Sequence, residues 1–204
     1  MEYDNKFYET LSQRCRPWQE YIGASIIKHY TFRSAIDLGC GSGYYLHGMF
    51  KEGARVKGYE YSFEACKLYI PPSILAYISY ADLGEKLNED KYDFAMSIEV
   101  AEHLAENKSD IFMDNLCSLS DTILFSASSR DDKKCQGWGN KGEGWGHLNP
   151  QPKQYWIDKF TNRRYCYSES DVTVIRDMFS KCRGSRSYRT YLRNNIMFFR
   201  RNNE

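Results

Sequence analysis

The sequence predicts an α/β fold built on a mostly parallel sheet, and three observations predict it. Short apolar runs alternate with stretches of helical character from residue 5 to residue 128, which is the pattern of strand–helix–strand crossovers. Several of these runs end in an acid or stop just short of one, at Asp37, Glu60, Asp82 and Glu99. Between the first run and the helix after it, three glycines stand at alternate positions, Gly39, Gly41 and Gly43, in AIDLGCGSGYYLHGMF (35–50). Such a turn bares the backbone at the carboxyl end of a parallel strand, where open α/β sheets bind ligands.

The elements follow in order. Residues 5–30 predict a helix broken or bent at Pro17, with Phe7, Leu11, Trp18, Tyr21, Ile22 and Ile26 near one face. RSAIDL (33–38) predicts a first buried strand, and 44–52 a helix that Gly53 caps. ARVKGYE (54–60) predicts the second strand, and 62–70 a helix halted by Pro71 and Pro72. SILAYIS (73–79), YDFAMSI (92–98) and DTILFSAS (121–128) predict three more strands, with a helix over 106–119 between the last two. After residue 128 the rhythm breaks. Residues 129–146 are charged, Gly-rich and aperiodic, too long for a simple connection. A helix over 150–160, a short strand over 163–168, a helix over 169–181 and a closing strand over 195–201 complete the chain.

The 204 residues suit a single domain, 1–204, divided into a helical cover (1–32), a core (33–128) and a later part (129–204). A net charge of +1 advertises no nucleic-acid or membrane partner globally. The last stretch is basic nonetheless, through Arg176, Lys181, Arg183, Arg186, Arg189, Arg193, Arg200 and Arg201. That reads either as a solvated face or as a surface for an anionic substrate or RNA backbone. The seven Cys include no CxxC and no Cys–His pair at a metal-ligand spacing, so no metal is assigned. With no signal-peptide pattern and no 18-residue apolar run, the expectation is a reduced, cytoplasmic protein whose thiols serve as small core hydrophobes.

The glycine turn can be narrowed by exclusion. A dinucleotide fingerprint ends in a small residue, but Tyr44 and Leu46 stand at the two candidate positions. GCGSGYYL also has no Walker lysine. IDLGCGSG instead resembles the glycine-rich first motif of class I S-adenosylmethionine-dependent methyltransferases. YDFAMSIEVAEHL (92–104) is similar to the fourth motif of the branch that often modifies small molecules. The ordered set covers residues 33–128. The resemblance implies a three-layer Rossmann-like methyltransferase fold with a seven-stranded sheet whose final strand is antiparallel. It implies cofactor binding by Asp37, Gly39, Gly41, Gly43, Glu60, Tyr61, Asp82, Leu83, Glu99 and Val100. Glu60 would accept from the ribose hydroxyls, or else be a solvated carboxylate at a strand end. Asp82 with Leu83 would hold the adenine, or Asp82 would cap a helix over 83–90. Asp37 would brace the loop or receive the ammonium group. Glu99 and Val100 would lie below the sulfonium.

Methyl transfer needs donor and acceptor aligned and water excluded, and an acceptor of high pKa gains from a base. Of the four His, His29 and His47 read as structural. His147, following the Gly–Trp loop, is the first candidate base and His103 the second. Each could instead be ordinary, His147 capping a helix and His103 packed and hydrogen-bonded in the fourth-motif helix. Trp138 and Trp145 would close over the acceptor, or pack on the core. The expected function is methyl transfer to a small-molecule acceptor, an oxygen of a sugar or related metabolite. RNA or protein methylation and a non-catalytic cofactor-binding subunit are the alternatives. SIEV in place of an NPPY-type fourth motif disfavours amino-group methylation of nucleic-acid bases.

Overall fold

The computed structural model describes residues 4–128, 146–182 and 186–202; Trp138 and Trp145 lie outside them. Seven strands form one sheet: β1 (Ser34–Leu38), β2 (Arg55–Glu60), β3 (Ile78–Tyr80), β4 (Phe94–Ile98), β5 (Thr122–Ser126), β6 (Tyr165–Tyr167) and β7 (Met197–Arg201), in the order β3-β2-β1-β4-β5-β7-β6. The first five run parallel, and β7 runs antiparallel to both β5 and β6. The strand order reverses between β1 and β4, whose register sets Asp37 beside Met96. Ligand crevices form at such reversals.

Each central strand sends alternate side chains to opposite faces. Phe94 and Met96 enter one core with Leu124 and Phe198, while Ala95 enters the other with Ile123, Phe125 and Phe199. The first core is covered by α1 (Asn5–Tyr30), α2 (Tyr44–Lys51) and α6 (Glu169–Lys181) through Trp18, Ile22, Met49 and Phe179. The second is covered by α4 (Ser109–Leu119) and α5 (Lys153–Thr161) through Phe112, Leu116, Trp156 and Phe160. The short α3 (Phe63–Cys66) follows β2, and α7 (Arg186–Asn195) precedes β7. Five of the six described cysteines are buried and none is bridged. Burial pushes the thiols up, to about 11 at Cys15 and about 12 at Cys117, so they stay protonated.

Two expectations are corrected, one alternative fails and one element is added. Pro17 does not break α1, which is one helix of 26 residues. Its buried face, including Trp18, Ile22 and Ile26, outweighs one lost backbone hydrogen bond. Asp4 caps the start by accepting from Phe7 N at 2.8 Å. The third strand covers only 78–80, because 75–77 is a 3₁₀ turn. No helix occupies 83–90. Conversely, 186–195 is helical although its sequence announced no helix.

The cover is held by close contact. A Cβ on Gly23 of α1 would lie 2.0 Å from the Tyr45 carbonyl oxygen, and one on Gly48 of α2 would lie 2.0 Å from that of Glu20. Two glycines thus let the helix backbones meet. Beside them the Glu20 carboxylate accepts from Arg16 at 2.7 Å, His47 Nδ1 at 2.9 Å and Lys51 at 2.6 Å. His47 is therefore structural, as its position on α2 suggests.

Candidate active site

The turn after β1 is built on left-handed backbone. Gly39, Gly41 and Gly43 have φ of 82°, 53° and 71°, conformations that side-chain-bearing residues adopt with strain. The N–H groups of Gly39 and Cys40 both donate to the Tyr59 carbonyl, at 2.8 and 3.1 Å, tying the turn to β2. A Cβ on Gly39 would strike Val100 at 2.3 Å, and one on Gly43 would strike Ile78 at 2.5 Å. At Gly41 the nearest atom is Tyr8 Cε1 at 3.8 Å, so the space over that glycine is bounded by the roof helix α1. α2 begins directly after the turn with its N–H groups unspent.

Glu60, at the end of β2, is 8% exposed. Its carboxylate accepts from Gly41 N and Ser62 N, both at 2.8 Å, and from the Tyr8 hydroxyl at 3.4 Å. Burial raises its pKa, while these donors pull it back. Asp37 is buried in the neighbouring strand, and its Oδ1 has no hydrogen-bond partner among the described residues. Burial and the Glu60 charge push this carboxyl well above the usual range. A buried acid lacking a donor, next to a carboxylate and a bared glycine backbone, suits a ligand that brings its own cation and hydroxyls. S-adenosylmethionine carries both.

On the far side of β2, Asp82 is exposed and accepts from Gly84 N at 2.8 Å through Oδ1, while Leu83 is buried. Asp82 closes a local turn instead of capping a helix. The half-exposed Tyr61 ring lies 5.7 Å from that of Tyr80. Across the turn, β4 delivers Glu99, which has φ of 57° and accepts from the Ser126 hydroxyl at 2.7 Å. Next come Val100, against Gly39, and then a 3₁₀ turn over Ala101–His103.

The two candidate bases meet. The His103 and His147 rings lie edge to face with centroids 4.8 Å apart. His147 lies in a loop ahead of α5 and does not cap it. His103, on the 3₁₀ turn, packs on His147 and lies 3.3 Å from the Gly146 carbonyl oxygen, which its ordinary alternative of a packed, hydrogen-bonded histidine also describes. Leu148 N and Asn149 N both donate to the Glu102 carbonyl, at 2.8 and 2.9 Å, pinning the His147 loop to the turn that carries His103. Sequence reasoning missed two residues here. Tyr8 was discoverable only as one more aromatic on the roof helix. Glu102 was visible three residues after Glu99, but its burial was not.

Four residues of the basic C-terminal stretch form internal pairs. Arg200 grips Asp171 at 2.7 and 3.0 Å, Arg201 pairs with Asp121 at 2.6 Å, Arg176 with Glu169 at 3.3 Å and Lys181 with Asp177. Among the described residues, no helix is long and apolar enough to cross a membrane.

Residues 7–167 match the family described as "Methyltransferase domain". No curated protein matches the sequence. Solved structures do resemble it. Magnesium protoporphyrin IX methyltransferase from Synechocystis PCC 6803, with bound SAH, is 16% identical with a TM-score of 0.61, over 90% of this chain and 83% of that one. An O-methyltransferase family protein from Burkholderia thailandensis is 11% identical with a TM-score of 0.67, over 96% of this chain and 58% of that one. The methyltransferase domain of bacterial CtHen1-CN is 22% identical with a TM-score of 0.55, over 89% and 96%. At these identities the likeness is one of fold.

Proposed function

We infer, from the premise that this chain belongs to the methyltransferase-domain family, that it moves the methyl group of S-adenosylmethionine to an oxygen of a small-molecule acceptor, a sugar or related metabolite. One observation carries the reading. The carboxyl ends of β1, β2 and β4 carry a left-handed glycine turn, the buried acids Asp37 and Glu60, and, on and against the 3₁₀ turn that follows Val100, a histidine pair.

When bound, the cofactor supplies a methyl carbon already activated by the positive sulfur. The residues divide the remaining work. Glu60 accepts from two ribose hydroxyls, for which its two oxygens are spaced. Gly39, Gly41 and Gly43 leave room for the methionine end, whose ammonium group satisfies Asp37. Asp82 accepts from the adenine amine, with Leu83 under the ring and Tyr61 at its rim. Glu99 and Val100 floor the space between cofactor and acceptor. His147, with His103 beside it, promotes loss of the acceptor proton. Tyr8 on α1 closes the roof and limits water.

An oxygen acceptor agrees with an O-methyltransferase family protein among the structural neighbours, and a small molecule with the porphyrin methyltransferase. The internal pairing of Arg176, Lys181, Arg200 and Arg201 engages four of the basic residues that would otherwise favour an RNA backbone.

The test is transfer of a labelled methyl group into a panel of sugars, other hydroxylated metabolites, RNA and protein. Label is expected in a small hydroxylated compound, with S-adenosylhomocysteine released. Label in RNA or protein alone would overturn the acceptor class, and cofactor binding without any transfer would indicate a non-catalytic subunit. His147→Ala is expected to lower turnover at saturating cofactor by roughly tenfold or more, with cofactor affinity unchanged. Undiminished turnover removes His147 from the reading.

A further inference from the structure

We propose that Glu102, His103 and His147 form a binding site for a first-row divalent cation, from Mn²⁺ to Zn²⁺, at the 3₁₀ turn that follows Val100. The donor atoms of the three side chains all lie within 4.8 Å of one another. Ligands on one tetrahedral cation at ordinary lengths of ~2.1 Å lie about 3.4 Å apart, so displacements of up to about 0.7 Å per side chain close the cluster on an ion.

Three independent features point to a ligand. Glu102 is 1% exposed, and among the described residues neither carboxylate oxygen has a partner at full hydrogen-bond geometry, its polar neighbours being the Ser128 and Glu102 backbone and the Glu99 carboxyl. A buried carboxylate in that state is costly unless a cation meets it, and Glu99 nearby adds negative charge. Next, His103 Nδ1 lies 3.3 Å from the Gly146 carbonyl oxygen. A carbonyl can only accept, so this contact requires the proton on Nδ1 and leaves the lone pair on Nε2. An imidazole whose second nitrogen donates to a backbone carbonyl is the usual orientation of a metal-bound histidine. Finally, the two backbone hydrogen bonds to the Glu102 carbonyl hold the His147 loop on the same turn. Residues 43 or more positions apart are thereby fixed in one place without relying on the ligands themselves.

The donor set selects the ion. Two imidazoles and one carboxylate suit borderline cations better than Mg²⁺ or Ca²⁺, which take oxygen ligands. Three protein ligands leave positions open, as in catalytic sites and unlike closed structural ones. The rings of His103 and His147 then act on an acceptor through the ion. That consequence rests on the methyl-transfer reading; the binding itself does not.

The probe is Co²⁺, added to the full chain after chelator treatment and followed by visible absorption and calorimetry, with S-adenosylhomocysteine affinity measured in parallel. About one equivalent is expected, with ligand-field bands and no thiolate charge-transfer band, which sets aside the exposed Cys166. His147→Ala and Glu102→Gln are each expected to weaken Co²⁺ binding by roughly tenfold or more, while S-adenosylhomocysteine affinity stays within about twofold. His147 lies in a surface loop, so its variant tests the site even should the buried Glu102 variant fail to fold. A wild-type chain that binds S-adenosylhomocysteine but no Co²⁺ overturns the proposal. So does Co²⁺ affinity unmoved by His147→Ala, because the ion then sits elsewhere. Co²⁺ binding that both variants weaken, in a chain that takes no S-adenosylhomocysteine, upholds the cation site and removes the methyl-transfer reading.

Discussion

Glu60 does two tasks that a single glance would separate. It fastens the glycine turn to β2 by accepting from Gly41 N, and it holds Ser62 N at the head of the next segment. In the proposed function the same oxygens receive the ribose. Removing them takes away charged acceptors and leaves buried N–H groups unpaired. Glu60→Ala is therefore expected to weaken S-adenosylhomocysteine binding by about 10–100-fold, read by calorimetry. Tyr8→Phe should change it by less than about threefold, because the Tyr8–Glu60 contact is long at 3.4 Å. Equal losses in both variants would mean that the roof, and not the carboxylate, governs binding.

Among elements, the junction of α1 and α2 decides whether the roof sits over the site. Gly→Ala inside a helix ordinarily gains about 1 kcal/mol. At Gly48 the new methyl would meet a backbone oxygen of α1, which no rotamer change can move aside. Gly48→Ala is expected to destabilise the protein by about 2–3 kcal/mol in urea unfolding. A neutral or stabilising result would show that the helices can slide apart freely. Pro17 fits the same picture, since a helix anchored along its length by tertiary contact tolerates a residue that would end a free one.

The whole molecule is stitched by carboxylates that link the roof to the body. Glu20 joins α1 to α2, and Tyr30 of α1 and Arg200 of β7 meet on Asp171 of α6. Burial works against the Glu20 carboxylate, but Lys51, His47 and Arg16 overcome it and bring its pKa down to about 2. Asp171 is likewise held low by Arg200, Ser168 and Tyr30 against burial. A carboxyl whose folded pKa is depressed contributes stability that is present above its unfolded pKa and lost as pH falls through the folded one. Stability should therefore decline from about pH 4.5 toward pH 2. Glu20→Gln should lower it by about 1–3 kcal/mol at pH 7, with the gap from wild type closing near pH 2. Melting curves across pH check this, and a gap that persists at pH 2 would place the effect in packing instead of charge.

By itself the amino-acid sequence determined what short range controls. Short apolar runs placed β1, β2, β4 and β5, and the alternate glycines marked a turn that only glycine enters without strain. The acids at strand ends were legible because each strand's direction puts its last residue at the ligand edge. Where the local signal was weak, reading failed, as at the three-residue β3 and at α7. Only the tertiary structure decided that Tyr8 reaches Glu60 across 52 positions, that Glu20 holds His47, and that the His147 loop returns to Glu102 and His103. Those meetings follow from how helices and loops pack on the finished sheet, and local patterning carries no record of a partner so far along the chain.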